Sequence, residues 1–199
     1  MEQLDRAQFL RLGVVGAFGA GVVAAAPARA ALPAPAPVGD DVGFVSFGAV
    51  AELTSQRFYQ EALGVRGWPA GVRRRMSLAV KAKGAHVRRM NDVLRDGAVQ
   101  PSDFGADFPS GSFATQARAI ALGLRLEQLL VSTHLYGATY ADDSSTRLLL
   151  GRLLAFDAAL LAWLRTLAGQ PAAAGLPVPV DLETAGAQLD RYLTTPSFT

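Results

Sequence analysis

Apolar residues recur at helical spacing from residue 40 almost to the end of the chain, and this pattern predicts four long helices. Glycine and proline residues divide the pattern and set the helix boundaries. The predicted long helices span residues 40–63, 69–95, 112–140 and 142–167, and a short final helix over residues 181–193 is expected on the bundle surface. Alternation with period two is nowhere long enough to predict a sheet, and heptads do not persist as in a coiled coil.

The links between the predicted helices indicate how the helices are connected. Helices one and two, and helices three and four, are joined by short turns, which make antiparallel neighbours. Residues 97–111 lack a helical period and could extend over roughly 50 Å, whereas a 26-residue helix is about 40 Å long. The fold class predicted is therefore all-α: an antiparallel four-helix bundle with a long crossover between helices 2 and 3, plus a short C-terminal helix.

The predicted second helix carries a lysine inside its apolar stripe. Lys83 and His86 lie among apolar residues at helical spacing, namely Met76, Ala79, Val80, Val87 and Met90. Burying an unpaired ammonium costs several kcal/mol, so Lys83 requires anionic partners from other helices. Each of the other long helices offers one carboxylate near mid-length on its apolar side: Glu52, which is placed partly inward, Glu127 and Asp157.

The first 30 residues have the features of a targeting peptide. An apolar run of about 15 residues is too short to span a bilayer as a helix and is followed by the small-x-small site Ala28-Arg29-Ala30. The start resembles the twin-arginine export signal, since Arg6, Phe9, Leu10 and Arg11 match its pattern, but Ala7 replaces the second arginine. We therefore predict a signal peptide over residues 1–30 and a Pro/Ala-rich spacer over 31–39. Export to the periplasm, cell envelope or exterior follows, by a weakened twin-arginine route or the general secretory route. An uncleaved segment serving as a membrane anchor is the alternative.

Composition narrows the classes of function. The 199 residues are 50% hydrophobic and 18% charged, which fits one globular domain with a core. The net charge is only +2 and the basic residues are scattered, so nucleic acid is not an expected partner. The chain has no cysteine, which excludes disulfides, thiolate ligands and a thiol nucleophile. The partner classes left open are a second copy of the chain and a protein of the cell envelope.

The paired spacing of these residues resembles the ferritin-like superfamily, and more narrowly its exported members with a twin-arginine signal. Glu52 precedes Lys83 by 31 residues and Glu127 precedes Asp157 by 30, as in two related helix pairs. The resemblance covers about residues 40–168, with residues 169–199 forming a C-terminal loop and short helix. In that family each pair supplies one Glu and one Glu-x-x-His to a site for two iron or manganese ions.

Carried over by position, Glu52, His86 and Glu127 match ligands of that family, and Asp157 matches with one methylene fewer. Lys83 stands where the first motif needs Glu, and Leu160 stands where the second needs His. An ammonium repels a metal dication and an alkyl side chain cannot bind one, so the dimetal centre is not expected. The hypothesis is that Lys83 sits where a metal would and holds the three carboxylates together. Three carboxylates against Lys83 leave a net charge of −2, which His86 would reduce to −1 if it were an imidazolium.

Two other readings of these positions stay open. One is a single iron or manganese site made by Glu52, His86, Glu127 and Asp157, for which oxygen and imidazole donors are suited. The other is a misjudged register that leaves some of the groups at the surface. His134, seven residues after Glu127, is interpreted as a core or rim histidine instead of a ligand, and the basic cluster at residues 73–75 as a solvated helix face.

The sequence therefore predicts an exported, non-catalytic ferritin-like protein without a bound cofactor, whose dimetal site is degenerate. The alternative is a metal-binding oxidase or metal-handling protein with a reduced site. The departures at Lys83 and Leu160 favour the first of these functions.

Overall fold

The computed structural model describes residues 41–103 and 105–194, and the predicted signal peptide and spacer lie outside this range. Five α-helices follow one another: α1 Asp41–Leu63, α2 Ala70–Leu94, α3 Gln116–Tyr140, α4 Ser144–Leu167 and the short α5 Leu182–Leu189. Two 3-10 turns, Arg95–Gly97 and Asp190–Tyr192, extend α2 and α5. Two short strands, β1 Gly105–Ala106 and β2 Leu193–Thr194, pair antiparallel. The all-α prediction with a short C-terminal helix is confirmed.

Two apolar clusters, one at each end of the bundle, fix the directions of the long helices. The tyrosine-end cluster joins the start of α1 to the end of α2, the end of α3 and the start of α4, through Phe44, Met90, Tyr136 and Leu150. The tryptophan-end cluster joins the opposite ends of the same helices and includes Phe58, Trp68, Met76, Ile120 and Leu160. Helices α2 and α3 are therefore parallel to each other and antiparallel to α1 and α4.

The segment between α2 and α3 runs the whole length of the bundle. It leaves the tyrosine-end cluster at Val99 and reaches the tryptophan-end cluster at Phe108 and Phe113, whose rings pack edge to face with centroids 5.5 Å apart. The predicted crossover is confirmed. Its middle pairs with β2 near the C-terminus, and these strands are too short for sequence alternation to reveal them.

The third helix begins four residues later than predicted, at Gln116 instead of residue 112. Thr115 has extended backbone torsions, and its hydroxyl accepts a hydrogen bond from the Arg118 N–H, which is an N-cap arrangement. The preceding residues form turns, with Gly111 at a φ of +76° that glycine adopts without strain.

The other helix boundaries also differ by a few residues from the prediction. Helix α4 starts at Ser144 because Asp143 is its N-cap and the carboxylate of Asp41 accepts the N–H groups of both Asp142 and Asp143. The last helix ends at Leu189 instead of residue 193, because the chain turns there into the 3-10 helix and then β2. Pro69, predicted as the first residue of helix two, is the N-cap of α2.

Helix α5 covers the outer side of α1 and α3. Ala185 and Leu189 are buried against Ala51, Leu129 and Leu130. None of the helices in residues 41–194, Phe104 excepted, is both long and apolar enough to cross a membrane. The middle of the bundle, between its two apolar ends, contains a group of buried charged residues.

Candidate functional site

The ammonium group of Lys83 lies at the centre of the bundle between three carboxylates. Its Nζ is 2.6 Å from Asp157 Oδ1, 3.1 Å from Glu52 Oε2 and 3.3 Å from Glu127 Oε2. All four side chains have 0% exposure. These four residues, one from each long helix, are called the lysine cluster below.

Each carboxylate of the lysine cluster uses its second oxygen on a different partner. The Ser55 hydroxyl donates to Glu127 Oε1 at 2.8 Å. The Nδ1 atom of His86 is 3.0 Å from Glu52 Oε1, and the Nδ1 atom of His134 is 2.9 Å from Asp157 Oδ2. The Glu52 contact with Lys83 is an ion pair without the alignment of a hydrogen bond. Every carboxylate thus bridges the ammonium and one neutral or ionisable donor.

Helical periodicity brings these partners inward. Ser55 is three residues after Glu52, and His86 is three residues after Lys83, so each pair shares one helix face. His134 is seven residues, or about two turns, after Glu127. The six positions that the sequence singled out are all buried, so none of them lies at the surface. Glu52, placed only partly inward by the sequence pattern, is fully buried.

Lys83 and Asp157 form the charged pair of the site. Burial by itself lowers the pKa of Lys83, but the carboxylates of Asp157, Glu127 and Glu52 outweigh it and hold the pKa above its usual value. For Asp157 burial by itself raises the pKa, but the Lys83 ammonium and the His134 hydrogen bond outweigh burial and bring the pKa well below the ordinary range. An ionised Asp157 beside a protonated Lys83 is therefore the stable state at neutral pH.

The two glutamates behave differently because they share the same cation with Asp157. Burial, assisted by the charge of Asp157, raises the pKa of Glu52 to about 8 despite Lys83. Burial also raises the pKa of Glu127 to about 7. Three ionised carboxylates against one ammonium would leave two negative charges in a low-dielectric interior, so protons on the glutamates reduce that charge.

His86 does not add a positive charge to the lysine cluster at neutral pH. Burial lowers its pKa to about 4, and the ammonium of Lys83 acts in the same direction. The ring packs edge-on against Phe156, with centroids 4.9 Å apart. His86 is therefore neutral at neutral pH and does not reduce the remaining negative charge there.

Leu160 and Tyr59 border the lysine cluster toward the tryptophan end. Leu160 is 4% exposed and belongs to the apolar cluster there, one helical turn after Asp157. The Tyr59 hydroxyl is buried and lacks a hydrogen-bond partner within the described residues. Burial and the nearby carboxylate of Glu127 raise the pKa of Tyr59 well above its usual value, so the phenol stays protonated.

The residues present do not fit the two-metal centre of ferritin-like proteins. The position from which a cation would contact all three carboxylates is taken by Lys83 Nζ, and Leu160 has no donor atom. A smaller donor set exists, since Glu52, His134 and Asp157 each offer one atom and these atoms lie within 4.8 Å of one another. This set differs from the single-metal set considered from the sequence, because it contains His134 instead of His86 and lacks Glu127.

Sequence reasoning gave two residues of the site no role in it. Ser55 was not singled out from the sequence, and His134 was interpreted as a core or rim histidine instead of a ligand. The Nε2 atom of His134 is buried with no partner in the part of the chain described, while Nδ1 holds Asp157. Their roles could have been predicted from the helical spacing, because Ser55 lies on the same helix face as Glu52 and His134 on the same helix face as Glu127.

Comparison with known families agrees with this architecture. The model of a family described as a ferritin-like domain matches residues 40–170, which cover all four long helices and the lysine cluster. No curated protein matches the chain. The chain belongs to the family of ferritin-like domains.

Proposed function

We propose that this protein is a non-catalytic ferritin-like protein in which Lys83 replaces the metal ions of the family's site. The observation that carries the proposal is the position of Nζ, within 3.3 Å of a carboxylate from each of the other three helices at 0% exposure. A fixed ammonium joins the four helices as a bridging cation would. It offers neither a redox couple nor an open coordination position.

The protonation pattern supports this replacement. Two dications would compensate four negative charges, whereas Lys83 supplies one positive charge. Raised pKa values at Glu52 and Glu127 allow protons to compensate the rest. The site is thereby balanced by protons and one lysine, so its role is to hold the bundle together.

Export to the cell envelope is the second part of the proposal. It is supported by the apolar run, the Ala28-Arg29-Ala30 site and the twin-arginine-like start within residues 1–30. Mass spectrometry of the protein from fractionated cells tests it. A mature N-terminus at Ala31 in the envelope or external fraction is expected, and an intact N-terminus in the cytoplasmic fraction would contradict export.

A reduced site for a single metal, in an oxidase or metal-handling protein, is the alternative. The proximity of donor atoms from Glu52, His134 and Asp157 favours it, as does the Nε2 atom of His134, which has no partner among the described residues. Lys83 opposes it because its ammonium is 2.6 Å from Asp157 and 3.1 Å from Glu52. Iron or manganese would have to bind beside a positive charge.

Metal loading decides between these functions. The purified protein is incubated anaerobically with Fe(II) or Mn(II), desalted and analysed for metal content. We expect no stoichiometric metal in the natural protein and a gain in the double variant Lys83→Glu/Leu160→His. One tightly held ion per chain in the natural protein would favour the alternative, and two would overturn the proposal.

A matched control places the same changes at the surface. Lys81 and Leu148 are exposed residues of the same two helices. The variant Lys81→Glu/Leu148→His should gain no metal. If the Lys83/Leu160 variant also gained none, the geometry of the lysine cluster would not be that of a former metal site.

A further inference from the structure

A groove of about 340 Å³ opens between α2 and α4, on the surface near the tryptophan end of the bundle. Its apolar lining includes Leu78, Phe156 and Leu160, and the small residues Ala79 and Ala159 leave the space open. Leu78 is 55% exposed, although its side chain is large and apolar. A volume in this range, near the lower end of about 300–1,000 Å³, is typical of small-molecule sites.

One end of the groove is basic. Arg74 and Arg75 line it together with Gly71 in the first turn of α2. That turn has no acidic residue, and the N-cap Pro69 supplies no side-chain hydrogen bond. The unpaired N–H groups of a helix start favour an anion, as do two guanidinium groups.

Arg75 is held at the wall of the groove by an aromatic ring from the opposite helix. Its guanidinium carbon is 5.3 Å from the ring centroid of Trp163 in α4. A guanidinium that stacks on an aromatic ring can still donate hydrogen bonds to a planar anion, because its N–H groups lie in its own plane and point away from its face. The basic end is thus partly ordered before a ligand arrives.

We infer that this groove binds a small single-chain amphiphile with a carboxylate head group. The carboxylate would lie at Arg74, Arg75 and the start of α2, and the tail along Leu78, Phe156 and Leu160. A two-chain lipid is too large for this volume. A second copy of the chain could occupy the groove only if it presented an acidic group to the arginines and an apolar group to the rest of the lining.

Leu160 belongs both to this groove and to the positions that correspond to the family's metal site. At the position where the family pattern has a metal-binding histidine, an alkyl side chain instead contributes apolar lining. The inference concerns ligand binding at the surface, whereas the proposed function concerns the buried charges. Failure of the ligand-binding inference would therefore leave the proposed function standing, and failure of the proposed function would leave the ligand-binding inference standing.

Calorimetric titration of the full chain with octanoate tests the inference. Binding is expected for octanoate and not for acetate, which lacks the tail, or for octanol, which lacks the charge. Octanol binding as tightly as octanoate would overturn the inference, as would preference for octyl phosphate. Self-association of the chain through this groove, seen as a concentration-dependent mass that octanoate does not change, would also overturn it.

Paired variants locate the site. Ala159→Phe fills the groove from an exposed position, and Ala155→Phe makes the same change one turn earlier at an exposed residue outside the lining. Arg74→Ala removes a guanidinium from the basic end, and Arg152→Ala removes one from an exposed position elsewhere. Ala159→Phe and Arg74→Ala should each weaken octanoate binding about tenfold or more. Equal effects of the paired controls would contradict the assignment.

Discussion

Each residue of the lysine cluster has at least two polar contacts, so that a change at one residue affects several others. Lys83 has three carboxylate partners, and each carboxylate has a second partner of its own. A buried charge stays in place only when its partners satisfy it, because water cannot replace them. Loss of the Lys83 ammonium should therefore destabilise the folded bundle strongly.

Replacement of Lys83 by methionine tests this dependence. Methionine keeps much of the side-chain length but removes the charge and the N–H donors, which leaves Asp157, Glu52 and Glu127 without a cation. Removing one partner of a buried ion pair typically costs about 3–5 kcal/mol, and we expect a loss of that size in the free energy of unfolding from urea denaturation.

Lys81→Met provides the control for that experiment. Lys81 is the other lysine of α2 and lies at an exposed position two residues away. Its replacement should change stability by less than about 0.5 kcal/mol, as is usual for surface substitutions. Similar small changes in both variants would mean that the carboxylates do not need Lys83.

At the scale of helices, close approach depends on glycines that face neighbouring side chains. A Cβ atom added at Gly123 of α3 would lie 2.6 Å from Cζ of Phe58 and 3.1 Å from Cδ1 of Leu164. Phe58 has 0% exposure and is confined by its neighbours. Gly123 therefore sets how closely α3 packs against α1 and α4, next to the lysine cluster.

Gly123→Ala should destabilise the protein by about 1–3 kcal/mol, the usual cost of overpacking a core. Gly186 of α5 is a matched helical glycine, because a Cβ there meets no atom of the residues that the structure describes within 4 Å. Gly186→Ala should stabilise by about 0.5–1 kcal/mol, since alanine loses less backbone entropy on folding. Thermal or urea unfolding of both variants measures the difference. Equal effects would show that Phe58 moves aside without cost.

Sequence periodicity predicted the four long helices because each buries a wide apolar stripe, and the length of the crossover predicted its path. The starts of α3 and α4 were misplaced because side chains of Thr115, Asp143 and Asp41 determine them locally. The pairing of β1 with β2 depends on two distant segments meeting, which no local pattern records.

For the candidate site, the stripes placed one ionisable group per helix in the interior but could not assign partners. The sequence gives no rotamer or distance, so the pairing of His134 with Asp157 and of Ser55 with Glu127 required the folded structure. The neutral state of His86 also required it, because burial and the neighbouring ammonium together lower the histidine's pKa.

At the scale of the whole molecule, the lysine cluster separates two apolar clusters and makes global stability depend on pH. Glu52 and Glu127 have pKa values raised from 4.5 to about 8 and about 7, so the folded state holds protons that the unfolded state has released. Their contribution to stability is complete below pH 4.5 and is lost as the pH rises through 7 to 8. The lowered pKa of His86 acts in the opposite sense, and its contribution is lost as the pH falls from 6.5 to about 4.

Between pH 6.5 and about 8 only the glutamates of this set titrate, so the free energy of unfolding should fall as the pH rises through that window. A loss of about 1–2 kcal/mol is expected, since one proton held only by the folded state gives about 1.4 kcal/mol per pH unit. Glu52→Gln removes one of the titrating groups and should flatten the slope, whereas Glu61→Gln, at a partly exposed residue of the same helix, should leave it unchanged. Urea unfolding at several pH values measures all three slopes. Stability that stayed level or rose over this window in the natural protein would mean that the glutamates are ionised throughout and that Lys83 alone balances the buried charge.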